Sequence, residues 1–115
     1  MTVLVCGGRD YRNTERLNEV LTRLLAKHPD LTIVHGGAPG ADLLAGDWAQ
    51  AHDVPVTVFR AAWDRYGRRA GPIRNQRMLD EGKPHLVVAF PGGAGTADMV
   101  AKAERAGVAV RRVDW

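Results

Sequence analysis

The stretch HLVVAFPGGAGTADM, His85–Met99, decides the fold of this 115-residue chain. It opens with a nearly continuous apolar run, His85–Phe90, which is typical of a central parallel strand covered on both faces. A glycine-rich turn follows, and Thr96 can then cap a helix that runs to about Ala106. The stretch therefore predicts a strand, a glycine loop and a helix in succession, which is the unit of parallel α/β sheets.

The same order recurs along the rest of the chain. Four further strands are predicted, at Val3–Cys6, Leu31–His35, Pro55–Phe59 and Val108–Val113. Because strands and helices alternate throughout, we expect right-handed crossovers and helices on both faces of the sheet. The predicted fold is a Rossmann-like three-layer α/β/α sandwich with a parallel sheet of about five strands, formed by residues 1–115 as one domain.

The helices are predicted from apolar spacing and end signals. The first begins at Asn13 or Thr14 and stops at Pro29, and the second carries small apolar residues from Ala41 onward. After a polar loop at Arg60–Gly71, Pro72 fits the first position of a third helix. That helix ends at Gly82, before Pro84, and its inward face is predicted to hold Asn75, Met78, Leu79 and Gly82. The last helix is predicted to face the sheet with Thr96, Val100, Ala103 and Gly107.

Composition restricts the class of protein. With 45% hydrophobic and 25% charged residues the chain is globular, and its one cysteine, Cys6, excludes a disulfide framework and is predicted to be buried and inert. No apolar run is long enough to span a membrane, so we expect a cytoplasmic protein without a membrane partner. The histidines show no metal spacing, and we expect neither a metal nor a cofactor. Of the 16 lysines and arginines, six are arginines between Arg60 and Arg77, which indicates a local anionic partner.

Glycine clusters follow three of the predicted strands. They are Gly7-Gly8, Gly36-Gly37 with Gly40, and Gly92-Gly93 with Gly95. The carboxyl ends of parallel strands share one edge, where ligands bind in such sheets. Glycine lets backbone N–H groups approach an anion closely, and helix N-termini add partial positive charge. The clusters therefore predict a phosphate site, although neither the dinucleotide pattern G-x-G-x-x-G nor the P-loop ending G-K-[ST] is present.

Four blocks of the sequence resemble the SLOG superfamily, specifically its small branch related to YspA and YpsA. The blocks are Cys6–Tyr11, His35–Asp42, Gly71–Met78 and Pro91–Met99. The resemblance implies a Rossmann-like fold and a nucleotide or nucleotide-derived ligand. Relatives include LOG-type phosphoribohydrolases, DNA-processing DprA proteins, molybdenum-cofactor carriers and ADP-ribose-type sensors, so the resemblance implies a site and not one function.

The LOG-type enzymes cleave the N-glycosidic bond of nucleoside monophosphates, and their motif is P-G-G-x-G-T-x-x-E. Pro91 to Thr96 match this motif, but Met99 stands where the family has glutamate. Asp98 lies one residue earlier, which is a rotation of about 100° on a helix. If the chain is an enzyme of this type, Asp98 and Arg74 are the candidate catalytic residues, as carboxylate and ligand-holding guanidinium.

Other polar residues of these blocks are candidates for ligand binding. Arg74 can donate a fork of N–H groups to phosphate, and Asn75 can read a ribose hydroxyl or a base edge. Asp42 and Arg9 have both a structural and a ligand-binding interpretation. The predicted ligand and phosphate site comprises Gly7, Gly8, Arg9, Gly36, Gly37, Gly40, Asp42, Arg74, Asn75, Gly92, Gly93, Gly95 and Thr96.

The sequence is compatible with three functions. The favoured one is a domain that binds, senses or carries a small nucleotide-like phosphate ligand. The second is an N-glycosidase acting on nucleoside monophosphates. The third and least favoured is a single-stranded nucleic-acid binder that stacks bases on Trp63 and Tyr66 beside the arginines. A homo-oligomer, in which a neighbouring copy completes the site, is compatible with so small a domain.

Overall fold

The computed structural model describes residues 1–114, and its centre is one five-stranded parallel sheet. The strands lie in the order β3-β2-β1-β4-β5. All four neighbouring pairs are parallel, which confirms the predicted Rossmann-like α/β fold. The strands are β1 Thr2–Cys6, β2 Thr32–His35, β3 Val56–Val58, β4 Leu86–Ala89 and β5 Ala109–Arg112.

Five α-helices connect these strands. They are α1 Thr14–Lys27, α2 Ala41–Ala51, α3 Trp63–Tyr66, α4 Ala70–Gly82 and α5 Ala94–Arg105. A 3₁₀ turn at Gly67–Arg69 joins α3 to α4. None of the helices described within residues 1–114 is both long enough and apolar enough to cross a membrane.

The core has two halves, one on each face of the sheet. Side chains of a strand alternate between its faces, so Val3 and Val5 of β1 pack with α1 and α2, whereas Leu4 and Cys6 pack with α4 and α5. On α1 the buried side chains recur at helical spacing, and the predicted cap is present because Asn13 Oδ1 accepts a hydrogen bond from Arg16 N–H at 3.1 Å. The layers are therefore helices, sheet and helices.

Four details of the prediction are wrong. The segment predicted as a loop, Arg60–Gly71, contains α3 and the 3₁₀ turn, and α4 already begins at Ala70. Pro72 is thus the third residue of α4, which is tolerated because N–H groups of the first turn have no intrahelical acceptor. The cap of α5 is Gly93, not Thr96. Gly107 lies beyond the end of α5, where its φ of +76° suits a turn.

The connections leave one crevice at the carboxyl edge of the sheet. From β1 the chain moves outward through β2 to β3, whereas β4 returns to the other side of β1 and β5 lies beyond it. The direction of winding therefore reverses between β1 and β4. Loops diverge at such a reversal, which is where parallel α/β sheets bind ligands.

Candidate ligand-binding site

A cavity of about 550 Å³ opens between the ends of β1 and β4. Its volume is within the range of small-molecule sites. It is lined by the loop after β1, by α4, by the first turns of α5, and by Asp42 and Trp63. Ten of the predicted site residues line it, namely Gly7, Gly8, Arg9, Asp42, Arg74, Asn75, Gly93, Gly95, Thr96 and Asp98. Gly36, Gly37, Gly40 and Gly92 do not.

Three residues of the first turn of α5, Ala94, Gly95 and Thr96, line this cavity. The N–H groups of Ala94, Gly95 and Thr96 have no acceptor within residues 1–114, because the first helical bond of α5 is donated by Ala97 to Gly93 O at 3.0 Å. A Cβ added to Gly93 or Gly95 would meet no atom within 4 Å. Packing in the protein does not explain glycine at these two positions, whereas close approach of a ligand would.

The other glycines have structural explanations. A Cβ on Gly92 would lie 2.7 Å from Gly8 N, and a Cβ on Gly7 would lie 2.6 Å from Ala41 Cβ. Gly40 has a φ of +82°, and a Cβ there would meet Gly8 O at 2.1 Å. These glycines let the loops after β1, β2 and β4 pack against one another. Gly40 and Gly92 act through this packing alone, whereas Gly7 also lines the cavity.

Asp42 connects the cavity to the loop after β2. Its Oδ2 accepts hydrogen bonds from Gly36 N–H at 3.1 Å and from Ala38 N–H at 3.2 Å. Only 6% of the residue is exposed. Burial raises the pKa of this carboxyl to about 6, although the two hydrogen bonds and the charges of Arg74 and Arg9 oppose the increase. Asp42 therefore holds the loop and still faces the cavity.

Arg74 and Asn75 form a network that joins three elements. Arg74 Nη1 donates to Gly36 O at 2.7 Å, and Arg74 Nε donates to Asn75 Oδ1 at 3.0 Å. Asn75 Nδ2 donates to Asp98 Oδ2 at 2.9 Å and to Gly95 O at 3.3 Å. The buried amide of Asn75 thus fixes α4 against the first turn of α5. The network fixes the Arg74 guanidinium at the cavity wall while part of its N–H fork remains available.

Asp98 belongs to the same network. Its Oδ1 accepts from Lys102 Nζ at 2.5 Å. Burial alone would raise the pKa of Asp98, but the hydrogen bonds from Lys102 and Asn75 outweigh it and lower the pKa. The carboxylate is therefore ionised at neutral pH, which suits electrostatic stabilisation of a cation and not donation of a proton.

Met99 lies on the inward face of α5. Only 1% of it is exposed, and it packs in the core with Val100 and Ala103. The position at which the LOG-type motif has a glutamate is thus occupied by an apolar side chain at the base of the cavity. No carboxylate replaces it in that place.

Cavity residues from the arginine-rich segment complete the rim. Trp63, on α3, is 47% exposed, and the Arg9 guanidinium carbon lies 5.8 Å from the centroid of its ring. Arg68 lines the cavity beside it. An exposed aromatic ring at the entrance of a polar cavity provides a surface on which a base can stack.

Two contributors were not singled out as site residues on the sequence. Lys102 could have been found from its spacing of four residues after Asp98, which places the two side chains on one helix face. Arg68 was predicted only as one of the arginines beside Trp63 and Tyr66 in the nucleic-acid hypothesis, because its approach to this cavity depends on the turn between α3 and α4. No group of three metal-ligating side chains occurs among residues 1–114.

Comparison with known proteins identifies the family of the chain. Residues 1–66 match the model of the YspA, cpYpsA-related SLOG family, which is more than half of the chain. The chain is also similar to the Gene 61 protein of Mycobacterium phage D29. The two are 34% identical over 116 residues, covering 94% of this chain and 92% of the phage protein.

Proposed function

This chain belongs to the YspA, cpYpsA-related SLOG family, and from that premise we propose that it binds a small nucleotide-derived phosphate ligand in the cavity between β1 and β4. One observation carries the proposal: the cavity is lined by the first turn of α5, whose first three N–H groups have no acceptor among residues 1–114, and by two glycines that packing does not require. Backbone donors at a helix N-terminus suit a phosphate group.

The rest of the cavity fits the remaining parts of such a ligand. Arg74 and Arg68 supply positive charge beside the phosphate position, and Asp42 can accept a hydrogen bond from a ribose hydroxyl. Trp63 offers its ring to a base at the rim. A backbone cradle, two guanidiniums and an aromatic face favour a nucleotide over a bare anion.

Binding or carriage is favoured over glycosidic cleavage. An N-glycosidase needs a carboxylate near the anomeric carbon, and the position of the glutamate in the LOG-type motif is the buried Met99. Asp98 is ionised, but both of its oxygens accept hydrogen bonds from Asn75 or Lys102. The Asp98 carboxylate is therefore already used in hydrogen bonds to side chains of α4 and α5.

A thermal-shift screen combined with product analysis tests the proposal. The protein is heated with nucleoside mono-, di- and triphosphates, ADP-ribose, NAD and ribose 5-phosphate, and each mixture is then analysed for free base. A ligand at 100 times its Kd stabilises the fold by about 2.7 kcal/mol, which is a shift of several degrees in a domain of this size.

We expect a shift with the ligand recovered intact. A shift accompanied by free base would show glycosidic cleavage and overturn the binding-only proposal. The absence of a shift with every compound would contradict the nucleotide site itself.

A further inference from the structure

A second, smaller cavity lies on the outer side of Arg74. It has a volume of about 300 Å³ and is formed by the segment after β3, by α3 and by the first half of α4. Four of its lining residues are arginines, Arg60, Arg65, Arg74 and Arg77, and no acidic residue lines it. We call it the arginine cleft.

Part of this positive charge is not neutralised within residues 1–114. Arg77 pairs with Glu81 at 2.9 Å. Arg60, Arg65 and Arg74 have no ion-pair partner among residues 1–114. The Asp42 carboxylate partly compensates the charge of Arg74, so the uncompensated charge of the cleft is that of Arg60 and Arg65, which an entering anion would neutralise.

Aromatic rings hold two of the guanidiniums in place. The Arg65 guanidinium carbon lies 5.2 Å from the Tyr66 ring centroid, and that of Arg77 lies 5.4 Å from the Phe59 ring centroid. A guanidinium over a ring uses its face for that contact and keeps its edge for hydrogen bonds, which Arg77 donates from Nε and Nη2 to Glu81. The oriented donors that the cleft offers an anion are therefore Arg65, over its ring, and Arg74, which its own hydrogen bonds fix.

We propose that the arginine cleft binds a phosphoryl group, as a second anionic site next to the main cavity. Arg74 lines both cavities, and its bonds to Gly36 and Asn75 fix it between them. A phosphoryl group suits the cleft because forked guanidiniums match its oxygens. The proposal does not depend on what the main cavity binds.

The site can be tested by NMR on the ¹⁵N-labelled full chain at constant ionic strength. Inorganic phosphate and inorganic pyrophosphate are titrated separately, with sodium chloride adjusted to keep the ionic strength fixed. Amides of Tyr66, Ala70 and Ile73 report on the cleft, whereas those of Gly95 and Thr96 report on the main cavity. We expect the cleft amides to shift and to saturate.

Charge variants separate a site from a general basic surface. Arg60→Gln with Arg65→Gln should weaken the cleft Kd for pyrophosphate at least fivefold and leave the Kd at Gly95 and Thr96 within twofold. Arg23→Gln on α1 is the matched control, since α1 packs on the opposite face of the sheet and Arg23 is well exposed. The Arg23→Gln variant should leave the Kd at the cleft and the Kd at Gly95 and Thr96 unchanged.

The outcomes distinguish this inference from the proposed function. Shifts confined to the cleft would support the inference while contradicting phosphate binding at α5. Equal shifts with chloride alone, or an equal loss in Arg23→Gln, would overturn it as non-specific charge. Tighter binding of a single-stranded oligonucleotide than of pyrophosphate, lost in the double variant, would assign the cleft to a nucleic-acid backbone and also overturn it.

The source of the phosphoryl group follows from one more titration. If ADP-ribose moves the cleft amides and the Gly95 amide with one Kd, a single diphosphate ligand reaches both sites. If only inorganic phosphate or pyrophosphate moves the cleft amides, the cleft takes a separate anion. Either result supports a phosphoryl site at this position.

Discussion

Gly95 and Ala97 both lie in the first turns of α5, but only Gly95 lines the cavity between β1 and β4. Gly95→Asp places a carboxylate where the phosphate is proposed to bind, and we expect the affinity for a phosphate ligand to fall by at least about tenfold, or ~1.4 kcal/mol. Folding should be preserved, because the added Cβ meets no atom and an acidic residue suits a helix N-terminus. Calorimetric titration measures the change.

Ala97→Asp adds the same charge to the same helix, but Ala97 faces away from this cavity and lines a different depression. The affinity of the Ala97→Asp variant for the ligand should remain within about threefold of the wild type, because solvent screens a charge that does not face the cavity. Equal losses in the two variants would mean that the helix charge as a whole, and not contact at Gly95, governs binding.

Asp42 should make the stability of the protein depend on pH. Its pKa rises from 3.8 to about 6 on folding, mainly through burial, so the folded state holds the proton more tightly. The free energy of unfolding therefore decreases as pH rises between those values, by roughly 3 kcal/mol in all. Burial lowers the pKa of His35, which acts in the opposite direction.

Comparison with Asp42→Asn cancels the contribution of His35. The asparagine oxygen can still accept from Gly36 and Ala38 N–H, and the variant has no carboxyl to titrate at this site. Denaturant unfolding from pH 4 to pH 7 should show the wild type losing stability relative to the variant as pH rises. Parallel curves over that range would refute the burial effect.

Between elements, the contact of α4 with α5 depends on one buried amide. Asn75 is 4% exposed and bonds to Arg74, Gly95 and Asp98. Asn75→Ala removes one hydrogen-bond partner from each of these three groups, and we expect the free energy of unfolding to decrease by about 1–3 kcal/mol. In a double-mutant cycle with Asp98→Ala, a coupling energy of about 0.5–3 kcal/mol is expected.

Gln76→Ala provides the control for this cycle. Gln76 neighbours Asn75 but is exposed, and its side chain donates a hydrogen bond to Asp80 within its own helix. The variant should change stability by less than about 0.5 kcal/mol. Alanine has the higher helix propensity, so a loss as large as that of Asn75→Ala would show that truncating any polar side chain of α4, and not breaking the amide network, accounts for the effect.

Elements that carry an apolar run or an apolar helical face were predictable from the sequence, and α3 was not. The five strands and four longer helices follow from apolar runs and glycine loops, and the exposed edge strand β3 still carries an apolar run of valines. Helix α3 has four residues, none of them buried, so it carries no such signal. The bounds of α4 and α5 moved because backbone geometry, not a capping side chain, begins both helices.

Part of the candidate site was predictable from the types of residue in its loops and at its helix ends. Glycines at strand ends and the polar residues Arg74 and Asn75 were singled out from their place in the chain. The division between Gly92, which packing requires, and Gly95, which it does not, depends on distances to Thr96 and Gly8 across loops. The arginine cleft likewise depends on how α3 folds back toward α4.

For the whole molecule, Cys6 offers a single chemical reporter of unfolding. It is the chain's one cysteine, it is 7% exposed at the end of β1, and burial raises its pKa to about 12. Alkylation requires the thiolate and access to it, so the native state should react far more slowly than a free thiol. With iodoacetamide at pH 8 we expect protection of at least about 10³-fold, as a domain with several kcal/mol of stability provides.

The same thiol links ligand binding to the stability of the entire fold. If alkylation proceeds only through global unfolding, its rate should increase with urea along the slope of equilibrium unfolding. A ligand at 100 times its Kd should then slow alkylation by about 100-fold, because it stabilises only the folded state. Cys6 also borders the ligand cavity, and the urea dependence separates direct shielding from global protection. Rapid alkylation that is independent of urea would mean that the base of the cavity opens locally, which contradicts a close-packed core beneath the site.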